Sequence, residues 1–153
     1  MRRLLFIFAF CTVLLAAAEP EGSGVARVRA KANEGLAGAQ YNLAEFYANG
    51  YGVPKDAAQA AAWYRKSADQ GYGEAEFALG LAGLEGRGLP KDEVEGLAWI
   101  TVAAQSGNVT LVKFRSQLEQ RFGPRVVQAA QERSKVLQAA IGARKRAKAA
   151  ADK

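Results

Sequence analysis

A chain that repeats itself at a fixed interval folds as a stack of like units, and this one repeats every 36 residues. Shifting the sequence by that interval, without a gap, aligns Ala39 with Ala75, Leu43 with Leu79, Gly50 with Gly86 and Gly52 with Gly88. The same shift aligns Pro54, Lys55 and Asp56 with Pro90, Lys91 and Asp92, then Trp63 with Trp99, Ala68 with Ala104 and Gly71 with Gly107. Alanine fills 32 of the 153 positions and would often meet itself by composition alone. Two tryptophans and three glycine pairs in one register would not.

Each unit reads as two helices. The first, over 37–48 and 73–84, carries Ala39, Leu43, Phe46 and Tyr47, then Ala75, Leu79 and Ala82, at the spacing of one helical face. Gly50 and Gly86 stop these helices, because the residue past the last turn often takes a left-handed conformation that glycine adopts cheaply. After a short loop, Asp56 and Asp92 stand at helix starts, with Gln59 and Glu95 three residues on, the spacing of a capping box. The second helices run to about Gln70 and Ser106, with Ala60, Trp63 and Ala68, then Leu97, Trp99 and Ala104, expected in the core. Few aromatics and abundant alanine favour helices packed closely together and disfavour a β-sandwich or barrel.

The flanks read as part-units. Residues 25–34 look like a lone second helix, and 109–121, through Leu111, Val112, Phe114 and Leu118, like a third first helix. Beyond Gly123-Pro124 a helix over 124–143 carries Val126, Ala130, Leu137 and Ile141 on one stripe. It is expected to cap the open end of the stack. A basic tail, 144–153, follows.

The series Ala39, Leu43, Ala44, Tyr47, Gly50, Gly52, Val53, Asp56, Ala62, Trp63, Ala68, Gly71 and Ala75 resembles the Sel-one-like repeat (SLR), a relative of the tetratricopeptide repeat. The resemblance covers about 32–110 and implies an all-α solenoid of antiparallel helix pairs, whose first helices line a concave face that binds a partner. One position departs from the pattern. Gly83 stands where Tyr47 stands one unit earlier, so either a neighbour fills that gap or the helices approach more closely.

Residues 1–18 read as a secretory signal peptide, with Arg2 and Arg3, an apolar run from Leu4 to Leu15, and Ala16-Ala17-Ala18 as the cleavage site. The run is short for a membrane span. Residues 19–24 form a linker to the repeat domain, 25–123. The only cysteine, Cys11, lies inside the apolar run and follows Phe10 rather than the small residue that lipidation needs. An exported, periplasmic or secreted chain without a disulfide framework is expected, held together by packing. Two full units and two partial ones are near the minimum for independent stability, so a monomer or a weak dimer through an open end is expected.

The residue inventory narrows the chemistry. There is no histidine, which excludes Ser-His-Asp and Cys-His catalysis and His-ligated metals, and no metal or cofactor is expected. Gly50-Tyr51-Gly52 and Gly86-Arg87-Gly88 lack the preceding strand and third glycine of a phosphate-binding fingerprint and read as turns. Asp92, Glu93 and Glu95 are the material an envelope hydrolase would have to use. They cluster at a helix start, where negative charge suits the dipole.

Two surfaces are the functional candidates. The first helices place Tyr41, Glu45, Phe77, Leu81 and Leu84 off the main apolar stripe, on the face that the resemblance makes concave, as a site for a protein or peptide. Helix 73–84 is apolar almost all round, which means burial on every side or an exposed binding patch. Charge supplies the second candidate. Residues 19–120 hold 10 Lys and Arg against 13 Asp and Glu, whereas 121–153 hold 9 against 2. Arg144, Lys145, Arg146 and Lys148 form the alternative site, for an anionic envelope surface and not for nucleic acid, which an exported protein seldom meets.

Overall fold

The computed structural model describes residues 23–151, and the export segment read in the sequence lies outside them. Within that range the chain forms seven α-helices: α1 Ser23–Asn33, α2 Ala37–Asn49, α3 Ala57–Ala68, α4 Gly73–Glu85, α5 Glu93–Ala104, α6 Val109–Arg121 and α7 Pro124–Ala151. The described residues contain no strand. The starts of α2, α4 and α6 are spaced by the repeat interval, and so are those of α3 and α5. Consecutive helices from α1 to α6 pack on one another, the α-solenoid that the repeat implies.

The helix boundaries follow the punctuation in the sequence. Gly50 and Gly86 end α2 and α4 in the left-handed region, at φ 79° and 70°, donating their N–H groups to Phe46 O and Ala82 O. Asp56 and Asp92 cap α3 and α5, each carboxylate accepting the backbone N–H three residues on at 2.9 Å. Only that half of the expected capping box forms. The N–H of Asp56 goes to Tyr47 O and that of Asp92 to Gly83 O, both at 2.9 Å, tying each loop to the helix before it. With that donor already satisfied, Glu95 turns elsewhere.

Gly88 shows how the units stack. It sits at φ 75°, and a Cβ there would collide with the carbonyl of Ala57 at the start of α3. The second loop therefore rests its backbone directly on the preceding unit.

The Gly83 departure is resolved by closer approach. A Cβ at Gly83 would lie 3.3 Å from the Cα of Gly96, and one at Gly96 would lie 2.9 Å from Gly80 O. In the first unit these positions are Tyr47, Ala60 and Ala44, so α4 and α5 meet backbone to backbone where α2 and α3 meet through side chains.

The core is continuous from Ala44 and Tyr64 through Leu79, Leu97 and Ile100 to Leu137 and Ile141, with a smaller cluster of Val25, Ala32, Leu43 and Val53 at the other end. Helix α7 uses Ala130, Ser134, Leu137 and Ile141 as its buried stripe and lies along α5. It runs unbroken past 143 to Ala151, so 144–151 continue the capping helix. Trp99, beneath that cover, is 1% exposed. Its repeat mate Trp63 is only half-buried, a correction to the expected core pair, because α7 covers the outer side of α5 and no described helix does the same for α3. Lys66 Nζ sits 3.8 Å from the centre of the Trp63 ring instead.

Candidate binding groove

Alanine makes the groove. Helix α3 presents Ala57, Ala60 and Ala61 and helix α4 presents Ala78 and Ala82 to one cavity of about 690 Å³. Side chains this small leave depth between helices that larger residues would fill. Tyr41 from α2, Tyr64 from α3 and Phe77 from α4 supply aromatic walls, and Leu81 and Leu111 extend them. The walls are braced from behind. The Tyr41 ring lies 5.8 Å from that of Tyr64 and 5.4 Å from that of Tyr72, and Phe77 meets Phe114 edge-on at 5.6 Å.

Polar side chains share the lining, Glu45, Asn49, Lys55, Glu74 and Arg87 among them. Glu45 accepts the hydroxyl of Tyr64 on one carboxylate oxygen and Asn49 Nδ2 on the other, the latter at 3.2 Å. Burial, reinforced by the hydrogen bond and charge of Glu45, pushes the Tyr64 hydroxyl well above the usual tyrosine range. The Tyr41 hydroxyl is raised too, first by burial and then by the negative charges of Glu45 and Glu74. Both phenols stay protonated and act as donors. Lys55 and Arg87 also line the cavity, and Arg87 pairs with Glu85.

Four of the five groove residues expected from the sequence, Tyr41, Glu45, Phe77 and Leu81, line this one cavity. Leu84 does not, and its assignment is corrected. A Cβ at Gly96 would lie 2.8 Å from Leu84 Cγ and Cδ2, so Leu84 fills the slot that this glycine leaves on α5. Helix α4 is therefore divided between core and groove. Ala75, Leu79, Gly80 and Gly83 are buried, while Phe77, Ala78 and Leu81 face the groove. Tyr64 is a groove residue that carries no motif of its own, although Ala57, Ala60, Ala61 and Tyr64 stand at helical spacing on the side of α3 away from Trp63.

The acidic cluster at the start of α5 is a structural joint. Asp92 caps the helix, Glu93 lies 3.7 Å from Lys91, and Glu95 faces the other way. Glu95 accepts Trp99 Nε1 at 2.9 Å, Arg133 Nε at 2.7 Å and Arg65 NH1 at 3.2 Å. Burial alone would raise its pKa, but these three donors outweigh burial and hold it below the usual carboxylate range. No group of three or more Asp, Glu, Cys and His among the described residues has metal-binding geometry.

The basic segment is partly engaged within the molecule. Arg144 NH1 lies 3.0 Å from Asp69 Oδ1, and Lys145 reaches over Gly71 toward Glu76. Arg146 and Lys148 are exposed. No described helix is long and apolar enough to cross a membrane.

Comparison with known proteins identifies the two repeat units. The Sel1 repeat model matches residues 37–72 and 73–108, the same two units that the internal alignment gives. Among solved structures, the chain is similar to c5321, a protective antigen present in uropathogenic Escherichia coli strains and displaying an SLR fold. The two share 30% identity at a TM-score of 0.71, over 80% of this chain and 27% of that one. It is also similar to a Sel1 repeat protein from Oxalobacter formigenes, at 36% identity and a TM-score of 0.55, over 57% of this chain and 36% of that one. The chain thus spans about a quarter to a third of these structures. The search of curated proteins returned no match.

Proposed function

We propose that this chain, which carries two Sel1 repeats and resembles SLR-fold structures, is an exported, non-catalytic scaffold that holds a protein or peptide partner in the groove between α2, α3 and α4. Sel1 repeats generally mediate protein–protein interaction. The observation that carries the reading is the groove itself, aromatic on its walls, alanine on its floor and open along the first helices of two consecutive units. A groove of that shape suits an extended chain, which offers side chains to the walls and backbone groups to the tyrosine hydroxyls. Export rests on the arrangement of Arg2, Arg3, the apolar run and Ala16-Ala17-Ala18.

A phage-displayed random peptide library selected on the wild type, then tested on a Tyr41→Ala, Phe77→Ala, Leu81→Ala triple variant, examines the groove. Recovered peptides are expected to bind the variant at least about tenfold more weakly. Equal binding to both would move the partner site elsewhere. N-terminal sequencing of protein recovered outside the cytoplasm is expected to begin at Glu19, and an intact Met1 there would end the export reading.

A further inference from the structure

Two carboxylates, Glu45 and Glu74, and two cations, Lys55 and Arg87, line the groove, and the carboxylates are paired with neither cation. Ion pairs hold Asp69, Glu85, Glu93, Glu95, Glu119 and Glu132, while Asp56 and Asp92 are used as helix caps and Glu76 is buried. The chain as a whole has a cation surplus, with 21 Lys and Arg against 15 Asp and Glu. Yet Glu45 and Glu74, which both line the groove, make no ion pair among the described residues. The partners of Glu45 are neutral, the Tyr64 hydroxyl and the Asn49 amide.

Glu45 stands one helical turn after Tyr41 on α2, and Glu74 lines the same cavity from the start of α4. The faces of aromatic rings are themselves negative, so they add to this potential and do not offset it. A carboxylate that gives up part of its hydration in a half-closed cavity gains most from an incoming positive charge. The chemical complement is one cation on an apolar stem, the stem lying against Phe77 and the head against the ring of Tyr41.

We propose that the groove takes a lysine or arginine side chain from an extended segment of its partner, the cationic head seated against Tyr41 within reach of Glu45 and Glu74. This rests on the groove being the partner-binding surface. An acidic segment is the other occupant to consider, directed to Lys55 and Arg87, but Arg87 is already paired with Glu85, which leaves one lysine on that side.

The test uses the same random peptide library on the wild type and on an E45Q/E74Q variant, which keeps side-chain size and hydrogen-bonding capacity. Thermal melting confirms that the variant is folded. Groove-dependent peptides are expected to carry Lys or Arg at a fixed position and to lose about tenfold or more in affinity on E45Q/E74Q. Replacing that residue by norleucine in a synthetic copy is expected to cost as much, and the loss is expected to shrink as salt rises from about 50 to about 500 mM. Peptides that lose affinity on the triple alanine variant but lack basic residues, or bind E45Q/E74Q unchanged, would overturn the cation inference and leave the groove standing. Peptides that ignore the triple alanine variant would overturn both.

Discussion

Arg133 on α7 places its Nε 2.7 Å from Glu95 Oε2 on α5, and this contact joins the capping helix to the repeat it covers. The same carboxylate accepts the indole N–H of Trp99, while Arg65 of α3 lies 5.1 Å above the Trp99 ring. One side chain thus couples α3, α5 and α7. Glu95→Ala leaves Arg133, Arg65 and the Trp99 N–H without an acceptor and is expected to cost about 2–3 kcal/mol in urea unfolding. The sign of the pH effect follows from the lowered pKa. The stabilisation is complete above the ordinary carboxylate range and is lost as pH falls through the lower folded value. The acid limb of the unfolding profile should therefore flatten in Glu95→Ala, as followed by circular dichroism.

Glu76 has the opposite sign. It takes the slot that Gln40 holds one repeat earlier, and Gln40 is a buried amide that donates to Ala32 O at 3.1 Å. Burial pushes the Glu76 carboxyl up to about 7, against a partial pull downward from Lys145. The folded state therefore holds the proton more tightly than the unfolded chain. That contribution is complete below the ordinary carboxylate range and is lost as pH rises through about 7. Glu76→Gln is expected to leave stability at pH 4 nearly unchanged and to raise it by about 1–3 kcal/mol at pH 8. Thermal melts of both proteins from pH 4 to pH 8 measure the difference.

Gly88→Ala places a methyl group against the carbonyl of Ala57 and adds the cost of a positive φ. The loop must lift from α3 to admit it, at an expected cost of about 2–4 kcal/mol in chemical denaturation. Gly107→Ala serves as the comparison. It also has a positive φ, at 78°, but a Cβ there meets nothing within 4 Å, so only the conformational part, about 1 kcal/mol, is expected.

Leu81 and Leu84 lie on the same helix but separate binding from stability. Leu84→Ala empties the slot over Gly96 and is expected to cost about 2–3 kcal/mol in denaturant titration, with peptide affinity at the groove unchanged. Leu81→Ala removes a groove wall and is expected to weaken peptide binding several-fold, at about 1 kcal/mol or less in stability.

What the sequence made legible was the local punctuation. Gly50, Gly86, Asp56 and Asp92 act on residues within a few positions of themselves, so their spacing alone placed the ends of four helices. Tyr41 and Phe77 could be placed on the groove because the face of a helix follows from its period. What stayed hidden depends on contacts distant in the chain. Trp63 and Trp99 are equivalent in register, and only the path of α7 makes one buried and the other half-exposed. Glu95 has capping-box spacing, but Arg133, 38 residues away, competes for its carboxylate. Leu84 has the position of a groove residue, and it turns inward because the residue it meets on the facing helix is glycine.

The equal spacing of α2, α4 and α6 has a consequence for how such a protein can change its length. An in-frame gain or loss of 36 residues keeps the alternation of first and second helices in register, as the spacing of α2, α4 and α6 does. The length of the solenoid can therefore be altered in whole steps of one helix pair. An insertion of another size inside a helix pair would break the docking at its own junction, because each unit touches only its neighbours. The length of such a stack is quantised, and its smallest division is one hairpin.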